Sequence, residues 1–135
     1  MYQKLVLVGN LGRDPEMRYM ADGTAVTNLN VATNRRWTDA HGQPAEETTW
    51  FRVSVWNKQA EACNQYLRKG SKVLVEGRLR PDPQTGSPRI WTSQNGNVGA
   101  SYEVTADRIV FLTSRAETAD AGNDAPDQEE DDIPF

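Results

Sequence analysis

The chain is poor in the residues that build metal and redox chemistry. Among 135 residues there is one cysteine, Cys63, and one histidine, His41. A lone cysteine excludes an internal disulfide framework and a cysteine-rich zinc site, and a lone histidine makes no histidine cluster for a metal. No apolar run approaches the ~18 residues of a membrane span. Met1-Tyr2-Gln3-Lys4 leads directly into Leu5-Val6-Leu7-Val8, without a signal-peptide h-region, a small-residue cleavage site or an Arg/Ser-rich transit pattern. The expectation is a protein that does not enter a membrane and stays in the compartment where it is made. Gly9-Asn10-Leu11-Gly12 lacks the G-x-G-x-x-G spacing of a dinucleotide site and reads as a turn. No nucleophile–base–orienter set and no metal-ligand spacing is present, so neither an enzyme nor a cofactor is expected.

What is present is divided unevenly along the chain. The formal net charge is −4. Residues 1–112 hold 14 Lys/Arg against 11 Asp/Glu, a net +3, whereas residues 113–135 hold one Arg against eight Asp/Glu, a net −7. A mildly basic domain, 1–112, is thus joined to an acidic tail, 113–135. The tail has no apolar periodicity and is expected to be disordered, because it cannot bury enough apolar surface to offset the entropy of ordering. Its tip departs from that composition: Asp131 and Asp132 precede Ile133, Pro134 and Phe135. A purely solubilising tail gains nothing from Phe135, so the tip is a candidate partner-binding segment.

The domain reads as β-rich. Lys4–Gly9, Ala25–Arg35, Thr48–Trp56, Ser71–Arg80 and Tyr102–Leu112 carry strand signals. In the fourth, Val73, Val75 and Leu79 alternate with Lys72, Glu76, Arg78 and Arg80. In the last, the phase slips near Asp107-Arg108, which predicts a bulge. Asn57–Lys69 reads as a helix, with Ala60, Cys63 and Leu67 at helical spacing, Asn57 as N-cap and Gly70 as the left-handed residue after it. Cys63 then lies on the apolar face as an inert buried thiol. Trp37–Glu47 and Pro81–Gly99 read as turn-rich loops, and His41 as a solvated residue in the first. Three strands, one helix and two strands predict an all-β fold, a five-stranded OB-fold barrel with a short helix after strand three.

Thr48–Trp56 carries the functional signal. Alternation puts Phe51, Val53 and Val55 on one face and Trp50, Arg52, Ser54 and Trp56 on the other. Two tryptophans flanking an arginine on a solvent-facing strand need a cover. Single-stranded nucleic acid supplies one: bases stack on indoles, and arginine meets phosphates. Trp37 follows Asn34-Arg35-Arg36, and Trp91 follows Arg89-Ile90 in the second long loop, so every tryptophan lies near an arginine. The competing explanation is burial of Trp50 and Trp56 between subunits.

Several blocks resemble the family of bacterial single-stranded DNA-binding proteins. They are Val8-Gly9-Asn10-Leu11-Gly12-Arg13-Asp14-Pro15-Glu16-Met17-Arg18-Tyr19, Trp50-Phe51-Arg52-Val53, Tyr66-Leu67-Arg68-Lys69-Gly70-Ser71, Val75-Glu76-Gly77-Arg78-Leu79-Arg80 and the ending Asp131-Asp132-Ile133-Pro134-Phe135. The resemblance implies an OB-fold homotetramer that coats single-stranded DNA without sequence preference, in the bacterial cytoplasm at the nucleoid. It implies stacking by Trp37, Trp50, Trp56 and Trp91, and backbone contacts by Arg18, Arg52, Lys58, Lys69 and Arg80. It also implies recruitment of replication, recombination and repair proteins by residues 131–135. Two positions depart from the family pattern: Phe51 stands where histidine is frequent, and Trp56 where phenylalanine is.

Other classes stay open on the sequence alone. An RNA-binding OB module would prefer ribose, through its 2′-hydroxyl. A small nuclease would need a divalent metal on its carboxylates. A purely structural oligomer would bury Trp50 and Trp56 between copies.

Overall fold

The structure is a computed structural model and describes residues 1–113. Seven strands and one helix follow in the order β1 (Leu5–Leu11), β2 (Glu16–Tyr19), β3 (Ala25–Thr38), β4 (Pro44–Trp56), α1 (Asn57–Tyr66), β5 (Lys72–Leu79), β6 (Arg89–Thr92) and β7 (Val98–Phe111). Five of them close a barrel in the order β1-β5-β7-β4-β3, with Asn10 and Leu11 of β1 returning to Ala32 and Val31 of β3. The β4–β7 pairing is parallel, from Phe51↔Tyr102 to Ser54↔Thr105, and the others are antiparallel. β2 pairs with β3 and β6 with β7, both as short additions. The OB-fold expectation is therefore correct. The tail, including Asp131–Phe135, lies outside the described residues.

The alternation in sequence produces the core directly. Leu7, Leu11, Leu29, Val31, Val53, Val55, Val73, Val75 and Val104 are buried inside the barrel, and Phe51, Ala106 and Ile109 pack against them. α1 seals one end with Ala60 and Cys63, and Leu67 just beyond it is buried as well. Burial pushes the Cys63 thiol up to about 12. The buried Thr27 hydroxyl donates to the Ala60 carbonyl at 2.7 Å, fixing the helix to β3.

The phase slip in β7 is real. Glu76 pairs with Arg108 and Gly77 with Ala106, so Asp107 is left out of the ladder. Gln59 of α1 answers the bulge: its Nε2 donates to the Asp107 carbonyl at 3.1 Å, and its Oε1 accepts the Ile109 N–H at 3.0 Å. Opposite the bulge, a Cβ on Gly77 would run into the Thr105 carbonyl oxygen and stand 3.0 Å from Ala106 Cα.

Five local expectations are corrected. Trp37–Glu47 is not a loop: β3 and β4 run on as a hairpin to Thr38↔Pro44. Its turn is tied by Asp39, whose carboxylate accepts the His41 and Gln43 N–H groups at 2.9 Å each. Trp91 likewise lies on a strand, β6, paired with Gly99. Asn57 is not the N-cap; Trp56 is, without a side-chain cap, and Asn57 takes a left-handed backbone at φ 62°, a conformation asparagine tolerates well. The helix ends at Tyr66, so Arg68, Lys69 and Gly70 form a following turn, closed by Ser71 N–H to the Arg68 carbonyl at 2.9 Å. Leu79 leaves the core at the strand end and lines a small apolar cleft with Pro81, Pro88 and Tyr102.

Candidate nucleic-acid interface

β4 crosses the barrel surface with Trp50, Arg52, Ser54 and Trp56 on its outer side. Across the β3–β4 ladder they face Ala32, Asn30, Asn28 and Val26 respectively. Trp50 is 53% exposed, Trp56 is half-buried, and Ser54 is covered, its hydroxyl donating to Asn28 Oδ1 at 3.2 Å. The β6–β7 hairpin rises beside this surface and carries Trp91, whose Nε1 donates to Ser101 Oγ at 3.0 Å.

Two open concavities result, and they adjoin. The first, about 570 Å³, is bordered by Trp50, Trp91, Tyr102, Arg13, Asn30 and Arg52, among others. The second, about 540 Å³, is bordered by Trp56, Trp91, Arg18, Arg52, Arg80 and Arg89, among others. Arg52, Trp91 and Ser101 belong to both, so the two form one trough. Three of the expected tryptophans and three of the expected cations, Arg18, Arg52 and Arg80, thus come together.

The charge balance of the trough is distinctive. Five arginines line it, with Glu103 the one acidic residue among the described residues of its lining. None of those arginines has an ion-pair partner among the described residues, whereas Arg35, Arg36, Arg78, Arg108 and Lys4 are paired to Glu47, Glu46, Asp107 and Glu76. The domain's paired cations lie elsewhere, and of the arginines without an ion pair among the described residues all but Arg68 collect where the indoles are. Arg13 is held in place instead: with the Asn30 amide oriented to satisfy both groups, its oxygen accepts from Arg13 Nε and Nη2 at 3.2 Å.

The remaining expected residues stand apart. Trp37 lies on the hairpin arm, on the opposite side of the β3–β4 ladder from Trp50 by alternation. It borders neither concavity, and Arg35 sits over its ring, 4.2 Å from the centroid. Lys58 is exposed on α1, and the Lys69 N–H donates to Asp14 Oδ1 at 2.8 Å in the turn after it. Neither lines the trough. Arg13, Arg89, Asn30 and Tyr102 do line it, yet no local pattern marked them as site residues. Arg13 and Arg89 stand in segments that look like turns, and only the closing of the barrel brings them to β4. Among the described residues no group of three or more His, Cys, Asp or Glu is placed to hold a metal ion.

Comparison with known proteins follows the same lines. The model of the single-strand binding protein family matches residues 2–112. A single-stranded DNA-binding protein of Wolinella succinogenes is 41% identical over 115 residues, which cover 85% of this chain and 67% of that one. A Plasmodium falciparum SSB solved in complex with ssDNA superposes with a TM-score of 0.68 at 26% identity, over 84% of this chain and 97% of the other. A deletion mutant of the single-stranded DNA binding protein from Thermus aquaticus gives 0.64 at 32% identity, over 86% of this chain and 53% of that one. With its barrel, its trough and a match across the whole described domain, the chain belongs to the single-strand binding protein family.

Proposed function

We propose that this protein is a non-enzymatic coat for single-stranded DNA that binds without reading sequence. The observation that carries the proposal is one trough holding three tryptophans and five arginines that have no carboxylate partner among the described residues. Indole faces stack on any base, and guanidinium groups meet a phosphate backbone that is the same at every step. Occupancy then opposes re-annealing by mass action on the unpaired strand. The test is intrinsic tryptophan fluorescence during titration with a thymidine homopolymer, with duplex DNA and an RNA homopolymer as controls. Strong quenching by the DNA single strand is expected. Absence of quenching by any of them overturns the proposal and brings forward the reading of Trp50 and Trp56 as interface residues.

The proposal extends to a homotetramer. Val8, Leu74 and Val110 form an apolar row across three strands on the outer face of the barrel, and Val6 beside them is 55% exposed. Along Leu5–Gly9, β1 has β5 on one side and no strand partner on the other among the described residues. A second copy satisfies both an exposed apolar face and an open edge. Light scattering should give about four times the 15.1 kDa chain mass, and Val8→Glu should lower it. The wild-type protein running as a monomer refutes this part.

The acidic tip, Asp131–Phe135, is proposed to recruit proteins of replication, recombination and repair. The chemistry that would recognise it is an apolar slot for Phe135 ringed by basic groups for the carboxylates. Deleting residues 131–135 should abolish capture of such partners while leaving binding of the thymidine homopolymer intact.

A further inference from the structure

Glycine is weak in strands, because it costs backbone entropy and packs nothing. Gly99 on β7 nevertheless borders an indole of the trough, and so does Gly12 in the bend just after β1. A Cβ built on Gly12 would lie 2.5 Å from Trp50 Cζ3 and 2.6 Å from Cη2. A Cβ built on Gly99 would lie 2.5 Å from Trp91 Cη2 and 2.8 Å from Cε2. Neither glycine has positive φ, unlike Gly23, Gly42, Gly70, Gly86 and Gly96. Neither backbone takes the positive φ that L-residues avoid, and the nearest atoms that a side chain would meet at both positions belong to the ring.

We propose that Gly12 and Gly99 are positioning residues that seat Trp50 and Trp91 for stacking on bases. Each lets a benzo ring come down onto the backbone. The ring is braced there, and the rest of its surface is left to the trough. Gly99 is the direct cross-strand partner of Trp91, and Ser101 holds the indole N–H two residues further along the same strand. Trp91 is thus fixed at two points, by contact with the glycine and by a hydrogen bond to the serine. A methyl group at position 99 must lift the ring, since a side chain yields more easily than a strand. Gly12 lies in the bend just past β1, where its N–H donates to the Asn30 carbonyl at 2.9 Å and holds the backbone against which the Trp50 ring reaches from β4. Pre-seated rings lose less freedom on binding than mobile ones, which is how preorganisation raises affinity.

The proposal rests on the stacking role of these tryptophans, and the experiment separates the two. Gly99→Ala, Gly12→Ala, Trp91→Ala, Trp50→Ala and the matched double variants are made in the full chain. Each is titrated with a thymidine homopolymer at one salt concentration, and its thermal midpoint is recorded. Removing a stacking ring should weaken binding roughly 5- to 150-fold, the range of base–aromatic stacking. Gly99→Ala should weaken it by a smaller factor, about 3-fold or more, with the midpoint unchanged or raised. It should also shift the Trp91 emission in protein from which the other tryptophans have been replaced by phenylalanine. In a Trp91→Ala background, Gly99→Ala should have no further effect, and likewise Gly12→Ala in a Trp50→Ala background. If the tryptophan variants lose affinity and the glycine variants do not, the seating proposal is wrong and stacking stands. If the tryptophan variants bind normally, the stacking role itself is wrong. If a glycine variant acts equally with and without its ring, the effect is on the strand and the proposal is refuted.

Discussion

Trp50 and Trp37 differ in what surrounds them, and that difference sets their expected weights. Trp50 stands in the trough beside Arg13 and Arg52, half of its surface open. Trp37 has Arg35 over one face and borders neither concavity. Trp50→Ala should cost roughly 5- to 150-fold in affinity for a thymidine homopolymer, and Trp37→Ala clearly less. Equal losses, measured by titration at one salt concentration, would contradict this ranking. Cys63 gives a second prediction. Its thiol ordinarily titrates near 9.0, and desolvation raises it to about 12 in the fold. The unfolded chain therefore releases this proton first, and the stability it contributes is fully present below pH 9.0 and lost as pH rises towards 12. At neutral pH the folded protein should resist alkylation by iodoacetamide and react only when unfolded, as mass spectrometry can follow. The Trp50 and Cys63 environments were both legible in the sequence, because each follows from one element's own period. The Trp37 environment was not, because the cation over it comes from the same strand only once that strand is known to continue.

At the scale of elements, periodicity located the barrel strands and even the β7 bulge. What it missed were the extensions. Arg35-Arg36-Trp37 and Glu46-Glu47 look like polar loop sequence, yet Arg35 pairs with Glu47 and Arg36 with Glu46 across the ladder. A hairpin arm with little apolar alternation is held by cross-strand charge pairs and a turn tied by Asp39, which a one-dimensional period does not register. The short strands β2 and β6 escaped for a similar reason: each has only four residues and draws its pairing from a longer neighbour. The bulge itself depends on a residue outside its strand. Gln59→Ala removes both hydrogen bonds to the backbone around Asp107. The loss should be about 1–2 kcal/mol, because those groups are only partly shielded from water. For a domain of this size that lowers the thermal midpoint by roughly 4–8 °C per kcal/mol. An unchanged midpoint by calorimetry would mean that water replaces Gln59 without penalty.

At the scale of the whole molecule, the fold works by bringing distant arginines to one strand. Arg13 and Arg18 come from the segment around β2, Arg52 from β4, Arg80 from just beyond β5 and Arg89 from β6. The parallel closure of β4 on β7 makes them neighbours, and no local pattern in the sequence records that closure. The family resemblance pointed to Arg18, Arg52 and Arg80, while Arg13 and Arg89 needed the three-dimensional assembly. If all five meet phosphates, the salt dependence of binding should reflect them. Each neutralised phosphate on a single strand contributes about −0.7 to the slope of log affinity against log salt. Five contacts per protomer therefore predict a slope of about −3.5, and Arg52→Ala should reduce its magnitude by about 0.7. Trp50→Ala should lower affinity at every salt concentration and leave the slope in place, because stacking releases no counterions. Titrations at four salt concentrations distinguish these outcomes. A slope near zero in the wild-type protein would mean that the five trough arginines do not meet phosphates. A slope that falls with Trp50→Ala would mean that the indole, not the guanidinium, sets where the backbone lies.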